Sequence, residues 1–100
     1  MPRRIPRMEV PVTIAAMPEH LVNRALRQYP NLTRRQMQVL KLIMTGLTNS
    51  KIGDELDLGI GAIEKHFHNI LIVMGISHIT GNNPRVILVN KMWLASRESI

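Results

Sequence analysis

The chain has 100 residues, of which 45% are hydrophobic, a net charge of +6 and no cysteine, which suits one hydrophobic core and excludes a disulfide framework or a thiolate zinc site. Tyr29, Phe67 and Trp93 are its only aromatic residues, so the core must come from Leu, Ile, Val and Met, a composition suited to packed helices. No apolar stretch approaches the roughly 20 residues that span a bilayer, so a soluble cytoplasmic protein without membrane contact is expected, and the pI of about 10.9 directs attention to a polyanionic partner, nucleic acid first.

In chain order, Pro2, Pro6, Pro11 and Pro18 each remove an amide donor and fix φ, so residues 1–17 read as a flexible basic arm, apart from a weak strand-like alternation over Val10–Ile14. Arg3, Arg4 and Arg7 on that arm either solubilise a tail or track DNA phosphates and the minor groove. Residues 18–30 form an N-terminal amphipathic helix with Leu21, Val22, Ala25, Leu26 and Tyr29 on one face, ended by Pro30. Thr33 to Gln36 is a capping-box pattern opening a helix with Met37, Leu40, Ile43 and Met44 at core spacing, stopped by Gly46. Thr48 caps the next helix, which runs to about Asp57 and buries Ile52 and Leu56. Gly59 opens a third, in which Ile60, Ile63, Phe67, Ile70, Leu71 and Met74 recur at helical spacing until Gly75. Asn83-Pro84 then starts a last helix over roughly 84–97, with Val86, Val89 and Trp93 on its apolar stripe.

Two helices joined by the short turn at Leu58-Gly59 are the minimum of a helix-turn-helix, with Gly53 small enough to permit close approach. The specific signal is the run Leu32-Thr33, Arg35, Val39-Leu40, Leu42-Ile43, Gly46-Leu47-Thr48-Asn49, Ile52, Leu56, Ile63, His66, Ile70 and Met74-Gly75-Ile76. It resembles the GerE/LuxR-type DNA-binding domain of bacterial transcription regulators over about 45 residues. The resemblance implies an all-α tetrahelical helix-turn-helix bundle over 31–100, preceded by the arm and the extra helix, with residues 60–74 as recognition helix in the major groove. Carried over by position, it implies that Glu64, Lys65 and His68 face base edges while Thr48, Asn49, Ser50, Lys51 and His66 meet phosphates. Chemistry agrees: Lys65 can donate to guanine, Glu64 can accept from a cytosine amine, and Lys51 anchors without reading sequence. It also implies a homodimer formed through the last helix at Val86, Val89, Asn90 and Trp93.

The sequence also departs from the family. Glu64 stands where lysine is usual, Ile72 and Val73 replace basic residues, the chain is longer around Ser77 to Pro84, and the usual arginine after Gly75-Ile76 has no clear equivalent. Residues 1–31 carry +3, the middle only +1 and residues 79–100 +2. Either one of Ile72 and Val73 packs under the longer loop, the favoured reading, or the exposed pair forms a patch for a partner. With 31 residues ahead of the matched run, no built-in sensory domain is expected, so control falls to expression level or a partner chain. The rival reading is a degenerate module that binds another transcription regulator. His66 and His68 lie about 200° apart on one helix and cannot share a metal, and the methionines sit at core spacing, so neither metal nor cofactor is expected. No phosphate-cradling glycine loop, nucleophile elbow or HExxH occurs, and no enzyme is expected.

Overall fold

The computed structural model describes residues 16–79, 81 and 83–98, and these fold into five α-helices with no strand among them. They are α1 (Glu19–Leu26), α2 (Arg34–Met44), α3 (Asn49–Leu56), α4 (Ile60–Val73) and α5 (Pro84–Glu98). Most of the predicted basic arm and the Val10–Ile14 alternation lie outside the described residues.

Local chemistry sets the helix ends. The capping box of α2 is complete: the Gln36 amide donates to Thr33 Oγ1 at 3.1 Å and the Thr33 amide to Gln36 Oε1 at 2.9 Å. Thr48 Oγ1 accepts from the Lys51 amide at 3.2 Å at the start of α3, and Asn83 Oδ1 accepts from the Arg85 amide at 2.8 Å at the start of α5. Three helices in succession, α2 to α4, end on a left-handed residue. Gly46 (φ 91°) follows α2, Gly75 (φ 75°) follows α4, and Asp57 (φ 57°) takes the same role after α3, a conformation Asp tolerates better than most residues.

The core is continuous. Leu40, Ile43, Met44, Ile52, Ile63, Ile70, Leu88 and Met92 are almost wholly inaccessible. Helix α2 packs on α4, and α3 on α4, which is the helix-turn-helix pair. The most extensive helix pairing, however, is between α1 and α5. Helix α1 is therefore integral to the bundle, and Val22, Ala25 and Leu26 are buried in the same core as the other helices. The segment ahead of α1 is tied in as well, since Met17 is buried and its amide donates to the Met44 carbonyl at 2.8 Å.

Three expectations about burial are corrected. Ile60 is 54% exposed and leaves the apolar stripe of α4, and Leu56, at the end of α3, is only partly buried. Of Ile72 and Val73, Ile72 is 52% exposed while Val73 packs partly buried against the core. Ile60 lies in the first turn, where its side chain leans back toward the end of the helix and is only partly covered. On α5 the buried stripe is Leu88, Val89, Met92, Ala95 and Ser96, with Val86 53% exposed, because α5 is turned to meet α1.

Gly53 controls the join between α3 and α4. A Cβ built there would lie 2.5 Å from the Leu58 carbonyl oxygen and 3.6 Å from Ile63 Cγ1, while the Leu58 amide donates to the Gly53 carbonyl at 2.8 Å. Gly61, also in a helix, meets nothing within 4 Å. Gly53→Ala is therefore expected to cost about 1–3 kcal/mol of overpacking strain. Gly61→Ala is expected to be neutral or to stabilise by up to about 1 kcal/mol, as alanine usually does in a helix. Urea unfolding of both variants checks the contrast.

Candidate nucleic-acid interface

Helix α4 presents one ridge to solvent. Ile60, Glu64, His68 and Ile72 follow one another at i, i+4 spacing, flanked by Gly61 and Lys65, and all six are exposed. The opposite side of α4 carries buried Ile63 and Ile70, with Leu71 also buried, so the ridge is held rigidly by the core. Glu64, Lys65 and His68, the residues expected to face base edges, thus lie together on it. His66 is half-buried and sits away from the ridge.

The start of α3 lies beside the first turn of α4. Thr48, Ser50 and Lys51 are exposed and Asn49 is half-buried. Thr48, Asn49, Ser50, Ile60 and Arg85 line one shallow concavity of about 370 Å³. Its walls offer a hydroxyl pair and an amide at a helix N-terminus, where unpaired backbone N–H groups and the helix dipole favour an anion. In duplex DNA that anion is a backbone phosphate.

Arg85 is the site residue that the sequence reading missed. Its side chain reaches back from the first turn of α5 and donates to the Asn49 side-chain oxygen at 3.1 Å and to the Leu47 carbonyl. Burial lowers its pKa below the ordinary value, but a guanidinium starts so high that it stays cationic at neutral pH. With its oxygen engaged, Asn49 is oriented with its NH2 group available as a donor. Arg85 thus places a fixed positive charge at the concavity beside the first turn of α4, whose ridge carries Lys65 next to the acid Glu64. The only sequence signal was its place after the Asn83-Pro84 cap, and the reach to Asn49 spans 36 residues.

The residues expected in a dimer contact divide. Val89 is buried in the core, whereas Val86 and Asn90 are exposed and Trp93 is half-buried. Asn90, Trp93, exposed Leu94 and Arg97 line a second open concavity of about 420 Å³ along the outside of α5. Among the described residues no three His, Cys, Asp or Glu side chains converge to hold a metal ion, and no helix is long and apolar enough to cross a membrane.

Comparison with known proteins adds an independent line. Residues 30–82 match the GerE profile, bacterial regulatory proteins of the luxR family. The chain is 40% identical over 47 residues to the HTH-type transcriptional regulator MalT of Yersinia pestis (strain Pestoides F), and equally to MalT of Yersinia pseudotuberculosis serotype O:1b (strain IP 31758), covering 47% of this chain and 5% of theirs. It is 34% identical over 58 residues to the response regulator protein TodT of Pseudomonas putida, covering 58% of this chain and 26% of that one. The chain thus spans a small part of the curated relatives it matches. No solved structure matches it. The profile begins after α1 and ends before α5, so both helices lie outside the matched segment.

Removing the Arg85 side chain leaves the Leu47 carbonyl and Asn49 without their charged donor. Arg85→Ala is expected to lower stability by about 1–3 kcal/mol, the range for hydrogen bonds to a charged group. Arg85→Lys, which keeps the charge but loses the planar fork, is expected to recover only part of it. Thermal unfolding of both variants provides the measurement.

Proposed function

Because the chain belongs to the luxR family of bacterial regulatory proteins, we propose that it binds double-stranded DNA sequence-specifically and regulates transcription in the bacterial cytoplasm. Helix α4 enters the major groove with Glu64, Lys65 and His68 on base edges, and Thr48, Asn49, Ser50 and Lys51 hold a phosphate. His66, half-buried, supports α4 or reaches a neighbouring phosphate. The observation that carries this reading is the shared concavity: the start of α3, the first turn of α4 and the cation of Arg85 all open on one side. A duplex laid there meets anion-binding groups and base-reading groups at once.

We further propose a homodimer joined through the outer face of α5. Val86, Asn90, Leu94 and Arg97 lie there free of the core, with part of Trp93. Two copies related by a two-fold axis would present their α4 helices to successive major grooves. Neither role calls for catalysis or a cofactor.

A second reading is favoured by Glu64 and exposed Ile72: the domain binds another transcription regulator and has little affinity for DNA. Gel-shift titration at two salt concentrations separates the two. Phosphate contacts make affinity fall steeply with salt, and an absence of salt-sensitive duplex binding would leave the second reading standing.

On a selected duplex, Lys65→Ala is expected to lower affinity by about 1–3 kcal/mol with unfolding unchanged, and unaltered site discrimination would remove Lys65 from base reading. Leu94→Arg, at a side chain that is 48% exposed, is expected to weaken the dimer while leaving the fold intact. Sedimentation velocity reads that outcome directly, and an unaffected dimer would take α5 out of the interface.

A further inference from the structure

Ile60 is a branched, apolar residue that the fold leaves more than half exposed. It is 54% exposed, it opens α4, and it lines the same concavity as Thr48, Asn49 and Ser50. Exposing such a side chain forgoes a favourable burial. The next residue, Gly61, carries no side chain, and a Cβ there would touch nothing in the fold. The first turn of α4 is therefore bare except for the Ile60 hydrocarbon. Burial within this domain explains neither residue.

We infer that Ile60 reads a thymine C5-methyl group, at the base beside the phosphate held by Thr48, Asn49 and Ser50. The inference rests on the DNA-binding reading above and deepens it by assigning one base and one chemistry. Each part of the geometry fits. The thymine methyl is the one apolar feature that a base pair presents in the major groove, and it projects along the groove wall next to its own strand's backbone. An apolar side chain that contacts it must therefore stand beside a phosphate-binding group, and Ile60 shares a concavity with three such groups. Recognition helices of this class meet base edges with their N-terminal residues, and Ile60 is the first residue of α4. The bare backbone at Gly61 lets that turn approach closely. Ile72 is apolar and exposed on the same ridge, but it stands three turns further on, about 18 Å along the helix axis, where α4 has moved out of the groove. It serves as the internal control.

The test removes the methyl alone. Duplexes bound by the full chain are selected from a random pool, each thymidine of the enriched site is replaced singly by deoxyuridine, and affinities are measured by fluorescence anisotropy. Burying one methyl is worth about fourfold in affinity. One replacement is therefore expected to weaken the wild type about fourfold, to leave Ile60→Ala unaffected, and to weaken Ile72→Ala as it does the wild type. Circular dichroism confirms that both variants are folded. Binding that is indifferent to every replacement, or a loss that persists in Ile60→Ala, overturns the thymine assignment while DNA binding stands. Failure to bind any duplex overturns both.

Discussion

The contact between Gly53 and Leu58 is the constraint from which the rest of this domain follows. The Leu58 carbonyl sits where any side chain on residue 53 would begin, and the Leu58 amide closes onto the Gly53 carbonyl. Asp57, in the left-handed region, turns the chain sharply enough to make that closure. The turn fixes the direction of α4 relative to α3, and this brings the first turn of α4 beside Thr48, Asn49 and Ser50. Ile63, the nearest core atom to Gly53 after Leu58, then anchors α4 from below. A wider turn would separate the phosphate-suited groups from the ridge that carries Glu64, Lys65 and His68.

Charge is sparse at this edge and is spent where it cannot wander. A flexible lysine gains little from a nearby anion until it is ordered, since holding a long side chain in one geometry costs entropy. Arg85 has already met that cost in the folded state, gripping the Leu47 carbonyl and Asn49. A half-buried guanidinium is also screened less by salt than an exposed one. Arg85 is thus one cation held by two acceptors at the start of α3 in the folded domain.

Much of this was legible in the sequence. The helix order, the capping box at Thr33 and Gln36, the cap at Thr48 and the stops at Gly46 and Gly75 all rest on chemistry within a few residues. The exposed trio on α4 followed from helical period and resemblance together. What was not legible depended on contacts distant in sequence. The run Val86-Ile87-Leu88-Val89 is apolar on every side, so periodicity could not say which face α1 would cover. Ile60 fits the stripe of α4 by spacing, but no element reaches over the first turn. Arg85 could not be tied to Asn49 because nothing local hints at a bond across 36 residues. Val89 shows the same limit, since a position suited to a subunit contact is filled by this chain's own core.

Helix α5 is anchored at two separate places in the fold. One end of that helix is pinned through Arg85 to the bend ahead of α3, and its length is registered by α1. Lengthening a connection ahead of a helix held in this way adds only the entropy of closing a loop, about 0.6 kcal/mol for each doubling. Insertions ahead of Asn83 therefore leave the concavity at the start of α3 in place, provided Arg85 and its two acceptors are kept.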